Sequence, residues 1–189
     1  MTERFNPTHG GYENLLSFQK ARIVYDGTVW FCKHNLDKRD RTYDQMIQAA
    51  RSGKQNILEG SQASGTSKAT ELKLTNVARA SLEELLEDYR DFLRVRGIDE
   101  WTKEHAYTRR LRQLNRQTNA NYETFKKGIE HSDPAIAANV MIGSVKLTNF
   151  LLDRQLRQLE KAFVEDGGLR ERMTRARLTE RANQKRKKD

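Results

Sequence analysis

Tyr43-Asp44-Gln45-Met46-Ile47-Gln48-Ala49-Ala50-Arg51-Ser52-Gly53-Lys54-Gln55-Asn56-Ile57 places Tyr43, Met46, Ile47, Ala50, Gly53 and Ile57 on one face, at spacings of three and four. Further on, Leu74, Ala78, Leu82, Leu85, Leu86, Tyr89, Phe92 and Leu93 repeat that spacing. This is the period of an α-helix with a core-facing stripe, not of a strand. Two amphipathic helices are expected, over about Arg41 to Glu59 and Lys68 to Arg96. The loop Gly60-Ser61-Gln62-Ala63-Ser64-Gly65-Thr66-Ser67 joins them, and Ser67 is suited to cap the second.

The composition agrees with an all-α chain. Among 189 residues there are 2 prolines and 11 glycines, and no useful length alternates with period two. One cysteine, Cys32, excludes an intramolecular disulfide framework and fits a reducing compartment. No apolar run approaches a membrane span in length, and Met1 to Phe5 lack signal-peptide organisation, so a cytoplasmic protein is expected. The net charge of +9 is unevenly placed. Residues 169–189 hold nine basic and three acidic residues, leaving +3 for the body and +6 for the tail. A movable basic tail favours a polyanionic partner, most often nucleic acid, with solubilisation as the alternative.

Outward from the hairpin, residues 1–11 read as a loose leader. A helix is expected from about Tyr12 to His34. Its polar stripe of Gln19, Arg22, Asp26 and Lys33 is narrow, and its apolar arc is too wide for one neighbour to cover. Two intrachain partners would bury it. Alternatively, one flank (Leu16, Ile23 and Trp30) would form an oligomer interface. Asn35 to Asp40 is a short polar connection, which gives antiparallel neighbours. Lys54 falls within an apolar face, so it should snorkel or pair with Glu83, Glu84 or Glu87.

After Arg96-Gly97, Asp99 could cap a helix beginning near Trp101 and running through Leu111, Leu114, Thr118, Tyr122, Phe125 and Ile129. Asn115, Asn119 and Asn121 predict a kink or break within it. Asp133-Pro134 signals a new helix, continuing to about Glu165 with Val145, Thr148, Leu152, Leu156, Leu159 and Phe163 on one face. Gly167-Gly168 ends it, and the remaining tail should be marginally helical or disordered.

Tyr12-Glu13-Asn14-Leu15, Phe18-Gln19-Lys20-Ala21, Asn56-Ile57-Leu58-Glu59-Gly60 and Leu82-Glu83-Glu84-Leu85 together resemble the bacterial four-helix bundle protein family. That family includes proteins encoded in intervening sequences of ribosomal RNA genes and the accessory variability protein of diversity-generating retroelements. Phe18 stands where tryptophan is usual, and Leu58 where alanine is. The segment from Leu151 through Phe163 to Gly167-Gly168 resembles the suffix domain that follows some of these bundles. The resemblance implies an antiparallel four-helix bundle over 12–130, a helical suffix over 131–168, then the basic tail of 169–189. It also implies a homo-oligomer, pentameric in characterised relatives, with no enzymatic activity. In the retroelement branch it implies binding to nucleic acid and to a reverse transcriptase.

Enzymatic chemistry finds little support. His9, His34, His105 and His131 have no ligand spacing with one another or with Cys32. The loop Gly60 to Gly65 lacks the strand and the Gly-Lys of a phosphate cradle. Cys32 reads as a core residue. The acidic residues Glu83, Glu84, Glu87, Asp88 and Asp91 read as a solvated face, because the Glu-x-x-His pairs of di-iron bundles are missing. Asn56 and Glu59 should meet free backbone groups at a helix end. No cofactor and no metal are expected.

Binding is better supplied. Arg109, Arg110, Arg112 and Arg116 form a run without an intervening acid, followed by Lys126 and Lys127. The tail adds Arg175, Arg177, Arg181, Lys185, Arg186, Lys187 and Lys188. Repeated around an oligomer, these would give sequence-tolerant, salt-sensitive binding to RNA or DNA, and Tyr107 is the nearest aromatic for stacking on a base. The expected function is a non-enzymatic nucleic-acid-binding or adaptor protein, assisting a partner enzyme such as a reverse transcriptase. The alternative is a structural homo-oligomer or protein-interaction module that binds no nucleic acid and whose tail meets an acidic protein.

Overall fold

The computed structural model describes residues 11–117, 119–167 and 169–186. It is all-helical: seven α-helices follow a short 3-10 turn at Tyr12–Asn14, with no strand among the described residues. The helices are α1 (Leu16–Asn35), α2 (Arg41–Ala63), α3 (Lys68–Arg94), α4 (Ala106–Asn115), α5 (Tyr122–Ile129), α6 (Pro134–Asp166) and α7 (Leu169–Arg186). The four long ones close a ring of contacts in which α1 meets α2, α2 meets α3, α3 meets α6 and α6 meets α1.

The stripes that define the hairpin are buried. Met46, Ala50 and Ile57 of α2 face Ala78, Leu82, Leu85 and Tyr89 of α3 within one core. The hairpin loop is shorter than its composition predicts, since α2 continues through Gly60 to Ala63. Gly60 is buried against the start of α3, and a Cβ there would meet only ordinary van der Waals contacts. Ser67 caps α3 as expected, accepting a hydrogen bond from the Thr70 N–H. Because α2 does not end at Glu59, Asn56 has no free helix end to meet. Its Nδ2 donates instead to the carbonyl and hydroxyl of Ser52, and that hydroxyl lies 3.0 Å from Ser81 on α3.

Within the chain α1 packs on α2, α5 and α6, and its Phe31 ring also meets Tyr89 and Phe92 of α3 edge-on. Phe18, Ala21, Ile23, Val24, Phe31 and Cys32 are all buried in the core these helices form. Lys20 is also buried, its ammonium 5.0 Å from the centre of the Phe125 ring, and desolvation lowers its pKa. Lys54 pairs with none of Glu83, Glu84 or Glu87. Its Nζ lies 4.3 Å above the Tyr25 ring, because its part of α2 turns toward α1 rather than α3. Glu83 accepts instead from Asn149 of α6, and Glu87 pairs with Arg90, so the acidic face of α3 is partly engaged rather than simply solvated.

The stretch from Trp101 to Ile129 is not one helix. It is α4 and α5, separated where the three asparagines lie. Asn119 has φ +65°, a left-handed conformation asparagine tolerates better than most side chains. Asn121 then caps α5 in a reciprocal box with Thr124. Thr118 lies outside the described residues. No helix begins at Trp101 either, because its N–H is taken by the Asn139 side chain of α6 at 2.7 Å, while Asn139 Nδ2 holds the Asp99 carbonyl.

The fourth long wall is therefore α6. Asp133 caps it through the Ala135 N–H, with Pro134 in its first turn. Ala137, Ala138, Met141, Val145 and Leu152 join the core built by α1 to α3, so that core runs across residue 130. The helix is also long and apolar enough, by length and composition, to cross a membrane, which corrects the reading that no run approaches that length. Asn139, Ser144, Lys146, Thr148 and Asn149 interrupt the apolar letters and obscure the run. Within the chain, 61% of its apolar window is buried. Phe163, expected on the buried face, is 38% exposed where α6 runs past its neighbours.

Candidate functional site

The 95–105 segment and α4 lie over the outer side of α6. Glu100 anchors the segment, receiving Arg90 Nε of α3 at 3.0 Å and Lys146 Nζ of α6. Burial alone would raise the Glu100 pKa, but these two cations outweigh it and hold the carboxylate below its ordinary range. The Trp101 ring stacks on His105, with centroids 4.7 Å apart and planes 10° from parallel. His105 stands immediately before the first turn of α4. It is the cap of α4, its Nδ1 accepting from the Tyr107 N–H. Tyr107 leans on Trp101 with a centroid distance of 5.1 Å and remains 53% exposed.

Arg109, Arg110, Arg112 and Arg116 are all exposed. Among the described residues no carboxylate pairs with any of them; Arg110 reaches only the Gln113 side chain. They lie on α4 and at the residue that follows it. Lys126 and Lys127 sit on α5, apart from that run in the chain, and Lys126 is already paired with Glu123 at 3.2 Å.

In the tail, expected to be marginally helical or disordered, Arg175, Arg177, Arg181 and Arg186 are exposed on the helix α7. Lys185 belongs to this helix, and Lys187 and Lys188 lie outside the described residues. The three positions expected at an oligomer interface have separate environments. Leu16 is 51% exposed, Trp30 is half-buried and stacked on His34, and Ile23 is 5% exposed inside the chain's own core.

Between the 100–103 segment, α4 and α6 lies a groove of about 650 Å³. Leu111, Ile142 and Leu147 give it an apolar floor, Trp101 and Phe150 stand in its walls, and Lys103, Arg112 and Arg116 contribute positive charge. The sequence singled out the arginines but not this groove, because much of its lining comes from α6, a separate helix further along the chain. Among the described residues no three His, Cys, Asp or Glu side chains are grouped to hold a metal ion. Cys32 is fully buried, and desolvation, reinforced by the charge of Asp88, pushes its thiol up to about 12.

No protein-family model matches this sequence, and no curated protein or solved structure matches it at a significant level.

Proposed function

We propose that this chain is a non-enzymatic nucleic-acid-binding or adaptor protein that works as a homo-oligomer. The observation that carries the reading is the basic face of α4, four exposed arginines with no carboxylate partner among the described residues. Unpaired surface guanidiniums repel one another and add nothing to folding, whereas a phosphate backbone would neutralise them and release its counterions. The exposed basic residues of α7 add further positive charge to the surface. Exposed apolar side chains late in α6 and on α7 (Phe163, Val164, Met173 and Leu178) support assembly, since a second copy or a partner protein would cover them.

On this reading the ring of α1, α2, α3 and α6 is a four-helix bundle of the family the motifs resemble, α6 serving as its fourth helix. A ring-shaped oligomer would repeat the α4 arginines into a continuous positive surface for RNA or DNA, held for a partner such as a reverse transcriptase.

The test is fluorescence anisotropy with labelled RNA and DNA across a salt series, with mass measured by light scattering. Affinity should fall steeply with salt, the log–log slope scaling with the number of phosphates neutralised. The quadruple change Arg109/Arg110/Arg112/Arg116→Ala should abolish most binding while the mass stays unchanged. A defined oligomer that ignores nucleic acid even at low salt would favour the structural or protein-interaction module instead.

A further inference from the structure

We infer that the groove between the 100–103 segment, α4 and α6 is a seat for single-stranded nucleic acid, in which a base stacks on Phe150 beside the Trp101 wall and backbone phosphates meet Arg112 and Arg116. The inference rests on the nucleic-acid reading above and narrows it to one conformation of the ligand and one place on the fold.

Charge selects an anion. Lys103, Arg112 and Arg116 have no carboxylate partner among the described residues, and the groove's one acid, Glu100, is already matched by Lys146 and Arg90. A simple anion site, however, would not need the rest of the lining. Leu111, Ile142 and Leu147 make the floor apolar, and at about 650 Å³ the space is ample for a flat ring. Phe150 is 53% exposed and has no aromatic partner among the described residues, so its ring is open to stacking. Trp101 is held in position by the Asn139 hydrogen bond to its N–H and by its stack on His105. The Asn115 amide also lines the groove and makes no hydrogen bond among the described residues, leaving it available to a base edge.

Arginines above an apolar, aromatic-walled floor suit a ligand with flat apolar faces on an anionic chain. Unpaired nucleotides have that chemistry, because any base offers a π-face to an aromatic side chain while its phosphate stays outside. A duplex keeps its bases stacked on one another and can use only the arginines.

The groove is also largely preformed. At Gly143 a Cβ would come within 3.1 Å of Leu111 Cδ1, so the glycine lets α4 lie close on α6 and sets the floor.

The experiment uses the full chain with a fluorescein-labelled mixed-sequence 12-mer and the duplex made from it, each across a salt series. Phe150→Ala should weaken single-strand binding about fivefold or more, leave its salt slope unchanged and leave duplex binding alone. Phe150→Trp should restore it. Arg112→Ala should lower the salt slope by about one for both ligands. Single-strand affinity unchanged in Phe150→Ala, or single strand and duplex weakened equally, would overturn the groove assignment while the α4 polyanion surface still stands. If neither oligonucleotide binds at low salt, both readings fall together. Binding to anionic lipid vesicles that is lost in Phe150→Ala, without any preference for single strand over duplex, would give the groove to a lipid.

Discussion

Gly53 of α2 lies so close to Leu82 of α3 that a Cβ at position 53 would sit 2.6 Å from both Cγ and Cδ2 of that leucine. Leu82 is fully buried, and its Cγ is a branch point rather than a flexible tip. Gly53→Ala gains helix propensity of about 1 kcal/mol but must displace a packed side chain, which typically costs about 1–3 kcal/mol. We expect net destabilisation of up to about 2 kcal/mol in urea denaturation. The same change made in a Leu82→Ala background should cost much less, because the obstructing atoms are gone. Additive effects in that double-mutant cycle would contradict the close contact.

The Tyr89 hydroxyl donates to Thr28 Oγ1 at 3.1 Å, linking α3 to α1 where both residues are fully buried. Burial raises the phenol well above its ordinary pKa, so it stays a donor throughout the working pH range. Tyr89→Phe should cost about 1 kcal/mol by leaving the Thr28 hydroxyl without this partner. Tyr89→Phe combined with Thr28→Val should be less destabilising than the sum of the two single changes, read from their unfolding midpoints.

Glu100 ties α3 to α6 through Arg90 and Lys146, and its pKa is held below the ordinary value of 4.5. A carboxylate depressed by folding contributes stability above its unfolded pKa and loses it as pH falls through the folded one. Glu100→Gln should therefore lower stability at pH 7 by about 0.5–1 kcal/mol, the range for partly exposed pairs. The gap from the wild-type chain should close as pH falls below about 4.5. Thermal melts of both proteins between pH 7 and pH 3 check this, and a constant gap would exclude the linkage.

The thiol of Cys32, buried and raised to about 12, should resist modification. At pH 8 only about one part in 10⁴ would be thiolate, the form that reacts. Ellman's reagent should find no titratable thiol in the native chain over minutes and one per chain in guanidinium. Rapid native labelling would show that α1 opens far more readily than its packing implies.

Lys126 is paired with Glu123, whereas Arg109 has no such partner among the described residues. If the chain binds nucleic acid as proposed, Lys126→Ala should therefore change the salt slope of that binding less than Arg109→Ala, which should lower it by about one. Equal effects would mean that the pair opens when ligand binds.

What the sequence determined by itself was local and periodic. The stripes of α2 and α3, the Ser67 and Asp133 caps, the break among Asn115, Asn119 and Asn121, and the buried state of Cys32 all depend on residues within a few turns of one another. The arginine run of α4 was legible for the same reason. Tertiary structure alone decided what those elements face. It turned Lys54 toward Tyr25 and not toward the acids of α3, buried Lys20 over Phe125, made α6 the fourth wall of the core, and set Asn139 against the Trp101 N–H. It also brought Phe150 to the same groove as Arg112, 38 residues earlier in the chain. Helical periodicity fixes which side chains share a face. Which neighbour that face meets depends on how distant helices pack, and no pattern within a single helix encodes it.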